Sequence, residues 1–366
     1  MILLLDDFKV YGGQEKYGLT LANFVYSRCS NVVVGRTARA SSIITKYGDS
    51  QFDYDVDLYR NLPRMILSVT GRIWKGLKRD DRTAVKILLT SNHFIALYFG
   101  MLAAIFRFEV DIIYISHLVR LDHTTYLCTA KKVLYNIVDT IISMTATRVC
   151  VSYPIYKYYK KHATSKYVVL IDNPVPSNAL SLISPTNNRW QPEVDNFDLA
   201  FIGRLSKEKG IAYLCDLLNI LIHRNKEIKV VIFGDGPDKK KIEELVLRYP
   251  ANIYYRGYVN NPHASVRCNV ILFPSAYEGL SLSFLEAISN GFLPLTTKIP
   301  AFYYYLGDLY PYLSMNPKSD SSQIEYILKH PCSKIVDSMK SQLRSCSQGI
   351  LSQELWESKW QRLLAK

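Results

Sequence analysis

Short apolar runs alternate with stretches of helical periodicity along the whole chain, and this alternation restricts the fold more than any other feature. In the first half the runs are Met1 to Leu5, Asn31 to Val34, Val85 to Leu89, Asp111 to Ile115, Arg148 to Val151 and Val168 to Ile171. In the second half they are Leu199 to Ile202, Lys229 to Phe233, Asn252 to Tyr255 and Val270 to Phe273. Runs this short suit strands covered on both faces, and the helical patterns between them supply the covers. The expected class is therefore α/β, with parallel sheets whose ligands bind in loops at the carboxyl ends of the strands. At 366 residues the chain exceeds what one hydrophobic core usually holds, so two domains of roughly 150 to 190 residues are expected. The Pro-, Asn- and Ser-rich stretch from Ser184 to Asn196 reads as the linker, which predicts domains at 1–188 and 189–349 and a closing helix within 350–366.

The run from Val270 to Gly291 carries the most chemistry, because it reads as a buried strand, a tight loop and a helix start bearing two acids. Pro274 and Ser275 end the strand, Ser281 or Ser283 can cap the helix, and Asn290-Gly291 supplies a left-handed stop. Unpaired N–H groups at such a start, with the positive end of the helix dipole, favour a phosphate or carboxylate. Gly279 lets the backbone approach it closely. Glu278 and Glu286 can each accept hydroxyl hydrogen bonds, so the pair suits a ligand with diols on both sides of a phosphate, as in a nucleotide sugar. The plain alternative makes one a first-turn helix acid and the other a solvated one.

Neighbouring segments add cations and bare backbone. Gly203-Arg-Leu-Ser-Lys-Glu-Lys-Gly210 follows a strand, with Ser206 a candidate cap, Arg204 a planar fork for phosphate oxygens and Lys209 a mobile point charge. Gly-x-x-x-x-Gly-Lys-Ser/Thr is absent, so this is no Walker loop. Gly234-Asp-Gly-Pro237 turns the next strand into a helix, but Lys239 stands where a dinucleotide fingerprint needs a third glycine, which argues against NAD. In the first half, Gly12 and Gly13 open a helix and can place N–H groups near an anion, with a flexible turn as the alternative. His117 follows a strand, where it can donate to a sugar hydroxyl or a phosphate oxygen.

Two segments read as decoys. Asp53-Tyr-Asp-Val-Asp57 has the Asp-x-Asp spacing that can hold a divalent cation, but fits a solvated acidic loop better. The segment Arg64 to Arg79 places Ile66, Val69, Ile73 and Leu77 on one helical face and Arg64, Arg72, Lys75 and Arg79 on another. It reads as a core-facing helix with a solvated basic face, or as a helix lying on an anionic membrane.

Composition narrows the rest. With 48% hydrophobic and 21% charged residues the chain is globular, neither disordered nor collagen-like. Of the net charge of +13, about +10 lies before residue 191, roughly 24 Lys/Arg against 14 Asp/Glu. That excess suits a phosphorylated substrate or an anionic membrane face, and no nucleic-acid motif accompanies it. Seven cysteines without a Cys-x-x-Cys point to reduced thiols and a cytoplasmic location. Met1-Ile-Leu-Leu-Leu-Asp-Asp lacks a basic leader and is expected not to be a signal peptide. Ile87 to Phe106 divides into a strand and a buried helix better than it spans a membrane, because Thr90-Ser-Asn-His93 interrupts it.

Four motifs, Gly203-Arg-Leu-Ser-Lys-Glu-Lys-Gly210, Phe233-Gly-Asp-Gly-Pro237, Gly257-Tyr-Val259 and Glu278-Gly-Leu-Ser-Leu-Ser-Phe-Leu-Glu286, together resemble the retaining glycosyltransferases of the GT-B architecture, family 4 (glycosyl transferases group 1). They occur in the family's order and at close to its spacings. The first half resembles the family more loosely, through Gly12-Gly13, His117 and a helix start at Ser152. The resemblance implies two Rossmann-like domains facing across a cleft, with the 350–366 helix joining the first. It implies that Arg204 and Lys209 bind the donor diphosphate, Glu286 the ribose hydroxyls and Glu278 the transferred sugar. The N–H groups of Gly279 and Leu280 would meet the distal phosphate, the backbone around Tyr258 the base, and His117 the sugar. Ser281, Gly203, Gly234, Gly12 and Gly13 complete the implied donor-binding set.

The function so implied is retaining transfer of a hexose-type sugar from a nucleoside-diphosphate sugar to a saccharide or lipid-linked saccharide acceptor. It needs no metal or other cofactor, and belongs to bacterial cell-surface polysaccharide synthesis, such as lipopolysaccharide O-antigen, at the inner face of the cytoplasmic membrane. The chain departs from the family at Asn173-Pro-Val-Pro176, where Asn-Gly-Val-Asp is usual, at Ser281, where proline is usual, and at Phe292 to Lys298 and Tyr303-Tyr-Tyr305. The rival readings are a nucleotide-sugar epimerase of the same fold and a non-catalytic basic module for membrane or nucleic acid.

Overall fold

The computed structural model describes residues 1–6, 13–46, 56–78, 85–89, 93–106, 110–117, 129–162, 167–175 and 196–365. The chain divides into two units, Met1–Ile171 and Asp172–Lys366. Among the described residues the first is built on seven parallel strands, β1 (Ile2–Asp6), β2 (Val32–Thr37), β3 (Val56–Tyr59), β4 (Val85–Leu89), β5 (Val110–Ser116), β6 (Thr147–Cys150) and β7 (Val168–Leu170), in the order β3-β2-β1-β4-β5-β6-β7. Its helices among the described residues are α1 (Gly13–Arg28), α2 (Ala38–Lys46), α3 (Leu62–Lys78), α4 (His93–Phe106), α5 (Thr129–Thr145) and α6 (Tyr153–His162).

Among its described residues the second unit has five parallel strands, β8 (Leu199–Ile202), β9 (Val230–Phe233), β10 (Ile253–Gly257), β11 (Val270–Phe273) and β12 (Leu293–Thr296), in the order β10-β9-β8-β11-β12. Its helices are α7 (Ile211–Arg224), α8 (Lys239–Arg248), α9 (Leu282–Ser289), α10 (Pro300–Leu306), α11 (Pro317–Lys329), α12 (Lys334–Gln348) and α13 (Gln353–Leu364). Both units are the α/β, parallel-sheet type expected. Strand order reverses between β1 and β4 in one sheet and between β8 and β11 in the other, and such switch points open the crevices in which ligands of these sheets bind.

Every residue of β4, β8, β9 and β11 is buried, as continuous apolar runs between helix layers require. Two strands were not expected. β3 carries Asp57 beside an acidic stretch, and β12 contains Pro294, which a strand tolerates at a sheet edge where one side needs no ladder bond.

The division between units comes ahead of the Ser184–Asn196 stretch, because Asp172 and Val175 already bond within the second unit. Tyr305 Oη and Lys359 Nζ donate to Asp172 at 2.5 and 3.1 Å, and Val175 N–H donates to the Leu351 carbonyl at 2.7 Å. Residues 176–195, most of the expected linker, lie outside the described residues. α13, expected with the first domain, groups with the second, where Trp356 and Trp360 are its buried stripe.

Residues 87–106 divide as anticipated into β4 and α4, and among the described residues no helix is long and apolar enough to cross a membrane. α3 buries Met65, Val69 and Ile73, four apart, while Leu67 and Trp74 on its other face are 70% and 44% exposed. Asp57 pairs with Arg72 at 2.6 Å, so the one described acid of the Asp-x-Asp run serves β3 and α3; Asp53 and Asp55 lie outside the described residues. The six described cysteines are free. Burial pushes the thiols of Cys215, Cys268 and Cys346 up to about 11, 12 and 11, which leaves them protonated and inert.

Candidate functional site

The loops after β8 and β11, neighbours at the switch point, bring together most of the residues singled out in the second half. The first runs from Gly203 through a 3-10 turn, Lys207–Lys209, to Gly210, and the second from Pro274 to Ser281 at the start of α9. They are laced to each other, Ala276 N–H donating to the Glu208 carbonyl at 2.8 Å. Gly210 has φ 73°, and a Cβ there would lie 2.0 Å from the Pro274 carbonyl oxygen, so only glycine lets the loops meet. Gly234, at φ 135°, closes the β9 end in the same way, its absent Cβ falling 1.8 Å from the Gly203 carbonyl oxygen. Its N–H donates to the Gly257 carbonyl at 2.7 Å, which fixes the backbone just before Tyr258.

Lys209 and Glu278 form a hydrogen-bonded ion pair at the mouth of these loops, through Nζ and Oε1. Ser275 Oγ donates to the same carboxylate oxygen at 2.8 Å, and Thr297 Oγ1 donates to the Ser275 carbonyl at 2.6 Å. Glu278 is thus anchored through one oxygen, and its Oε2 accepts no hydrogen bond among the described residues. The Lys209 ammonium keeps further N–H bonds to give. The two side chains are 22% and 10% exposed, half-withdrawn from water but reachable from it.

The N–H groups of Gly279, Leu280 and Ser281 have no acceptor among the described residues, and they lead into the open first turn of α9. Such a row of donors beside Lys209 is the kind of arrangement that can receive an anion. Ser281 occupies the N-cap position of α9, but its hydroxyl caps nothing. Ser206 stands likewise before the 3-10 turn without making a cap bond. Arg204 is exposed and makes no hydrogen bond or ion pair among the described residues, so its guanidinium is available to a ligand.

Glu286 lies a turn into α9, its Oε2 3.5 Å from Nδ1 of His263. His263 is buried on the 3-10 turn Pro262–Ser265. Nothing in the sequence marks it, a lone histidine in a loop. Tyr258 is exposed at the end of β10.

The remaining candidates belong to the first unit. Gly13 begins α1, and His117 directly follows β5, edge-on to the Tyr17 ring of α1 at 5.1 Å between centroids. Gly12 lies outside the described residues. Ser152 is buried ahead of α6, and its carbonyl accepts from Tyr156 N–H at 3.0 Å. Among the described residues no cluster of three or more His, Cys, Asp or Glu could hold a metal ion.

Comparison with known proteins finds similarity to glycosyltransferases. The family model described as glycosyl transferases group 1 matches residues 186–332, the greater part of the second unit. The glycosyltransferase subunit GtfA of Streptococcus agalactiae, a UDP-N-acetylglucosamine–peptide N-acetylglucosaminyltransferase by name, is 29% identical over 163 residues, 43% of this chain and 30% of that protein. The capsular polysaccharide biosynthesis glycosyltransferase CapM of Staphylococcus aureus is 28% identical over 109 residues, 29% of each. In both cases the matched stretch covers less than a third of the relative's own length. The crystal structure of HepE from Anabaena in complex with UDP superimposes with a TM-score of 0.73 over 100% of this chain and 99% of that one, at 15% identity. The fold is that of the GT-B glycosyltransferases along the whole chain.

Proposed function

We propose that the chain is a retaining glycosyltransferase that moves a hexose-type sugar from a nucleoside-diphosphate sugar to a saccharide or lipid-linked saccharide acceptor. The observation that carries this reading is the meeting of Lys209, Glu278 and the open N–H row of Gly279 to Ser281 at the β8/β11 switch point. A diphosphate fits against the N–H row with Lys209 and Arg204 as counter-charges, and Glu278 Oε2 accepts a sugar hydroxyl. Glu286 takes the ribose hydroxyls and the backbone around Tyr258 the base.

In the reaction the bond from the anomeric carbon to the diphosphate oxygen breaks and a bond to the acceptor oxygen forms on the same face. The acceptor's proton passes to a donor phosphate oxygen, so no side-chain nucleophile takes part. Negative charge grows on the leaving diphosphate, and Arg204, Lys209 and the start of α9 stabilise it more in the transition state than in the ground state. These groups supply the positive charge that a metal ion would otherwise bring.

The UDP complex of the HepE structure makes uridine donors the first to try. A thermal-shift screen against UDP-, GDP- and ADP-sugars tests the reading, since a ligand at 100 times its dissociation constant stabilises by about 2.7 kcal/mol. A flat response to all three would sink it. With the donor found, conversion of donor alone into an epimer would replace transfer by isomerisation.

The acceptor side rests on the first unit. Leu67 and Trp74 are exposed on α3, where Arg64 is exposed as well, and the first half carries most of the basic excess. Such a face suits the interface of an anionic membrane, where a lipid-linked acceptor resides. The name of the CapM relative supports a place in cell-surface polysaccharide synthesis. Co-sedimentation with vesicles of phosphatidylglycerol in low salt is expected, and the Leu67→Gln/Trp74→Gln variant is expected to lose it. Equal binding by both proteins would remove α3 from the contact.

A further inference from the structure

The geometry points to Asn173 as a positioning residue for the diphosphate-binding loop, acting through the Leu280 carbonyl, and this rests on the donor site proposed above. Asn173 lies 107 positions earlier in the chain than Leu280, yet its Nδ2 donates to the Leu280 carbonyl oxygen at 3.0 Å, and both residues are buried. A trans peptide holds its C=O and N–H antiparallel, so gripping the Leu280 carbonyl from one side turns the Ser281 N–H to the other. That N–H is one of the row left open for an anion. Asn173 therefore does not touch the ligand. It fixes the direction from which the loop greets it.

The grip is firm because Asn173 is itself bracketed. Asp172, the residue before, accepts from Tyr305 Oη and Lys359 Nζ at 2.5 and 3.1 Å, and Val175 N–H, two residues on, donates to Leu351 at 2.7 Å. The Leu280 side chain is buried in the core of the second unit, so the loop is clamped between core and carboxamide. Asn173 Oδ1 is buried and accepts no hydrogen bond among the described residues. The carboxamide is thus held by its donor end alone, and the donor is the group whose loss matters. Without it, the Leu280 carbonyl is buried and unsatisfied, and the loop reaches its anion-binding arrangement for a smaller fraction of the time. Apparent affinity falls by that fraction.

The test compares a nucleoside diphosphate with its monophosphate, using the base selected by the thermal-shift screen, by calorimetry on the full chain. Asn173→Ala and Asn173→Asp are each expected to weaken the diphosphate about tenfold while leaving the monophosphate within about twofold. The donor KM is expected to rise in step, and the acceptor KM to stay. Asn252→Ala is the control for mere destabilisation: its Nδ2 donates to the Lys226 and Ile228 carbonyls at 2.8 Å, in the same unit but remote from the loop. It is expected to lower the melting temperature without changing the ratio of the two affinities. If Lys209→Ala loses the diphosphate but Asn173→Ala and Asn173→Asp keep it, the positioning role is overturned and the donor site stands. If the wild-type chain binds no nucleotide, both fall together.

Discussion

Lys209→Ala is expected to lower turnover about 10²-fold or more, in line with the loss of a single oxyanion donor elsewhere. Two effects combine. On the proposed reading the leaving diphosphate would lose the ammonium that neutralises its growing charge. Glu278, which shares that ammonium through Oε1, keeps only the Ser275 hydroxyl at 2.8 Å and stands as an uncompensated carboxylate beside the bound phosphates. The second effect is repulsive and is removed by neutralising the glutamate. Lys209→Ala/Glu278→Gln is therefore expected to bind the nucleoside diphosphate more tightly than Lys209→Ala alone, although both turn over poorly. Groups that share a partner do not add, and the sign of the departure reports the coupling. Calorimetric titration of the four proteins of this cycle measures it. Independent, additive losses would show that Lys209 and Glu278 serve different parts of the ligand without exchanging charge, and undiminished turnover in Lys209→Ala would remove it from the site.

The strands and loops that make this site were legible because their signals are local. β8, β9 and β11 are short runs of apolar residues with glycine or proline directly after, and β8 and β11 end within the expected bounds. Gly203 to Gly210 and Glu278 to Glu286 read as anion loops from residue type and spacing alone. What the sequence hid are the partners that come from elsewhere in the chain. Ser275 was seen only as a strand terminator, yet it bonds Glu278 and its carbonyl accepts from Thr297, which comes from beyond β12. Asn173 and His263 reach Leu280 and Glu286 across long intervals, and no periodicity encodes such a meeting. β3 and β12 escaped for a local reason, since an aspartate and a proline break the apolar pattern in strands that are sheet edges, where those residues are tolerated. Ser206 and Ser281 show the opposite error: the residue type of a cap stands in the cap position, and its hydroxyl does not cap. The Pro- and Asn-rich stretch is a composition signal, whereas Asp172 and Val175 join the second unit through specific bonds, which no composition reveals.

In the first unit the largest effect on stability is expected from Arg148→Leu, a loss of about 3–5 kcal/mol. Arg148 begins the apolar run of β6, where the sequence gives a charged residue no evident partner, yet its side chain is 1% exposed. Its Nη2 donates to Asp139 Oδ1 and Ser143 Oγ, both at 2.9 Å, and to the Asp139 carbonyl at 3.2 Å, while Nη1 donates to Ser116 Oγ at 2.8 Å. The guanidinium also lies over the Tyr159 ring, 4.0 Å from its centroid. One cation thus ties α5 to the ends of β5 and β6, and Ser116 is the residue before His117. Leucine fills part of the space but leaves the Asp139 carboxylate buried without its counter-charge and two serine hydroxyls without a donor. That residue of unpaired charge, more than the lost attraction, sets the cost. Urea unfolding is expected to show the loss, with a fall in melting temperature of roughly 10 °C for a unit of this size. The pair itself is a different matter, because two desolvated charges return little net energy. Arg148→Leu/Asp139→Leu is therefore expected to recover a large part of the stability that the single change removes. If the double variant is as unstable as the single one, the guanidinium's stacking and serine contacts hold the fold, and the ion pair does not.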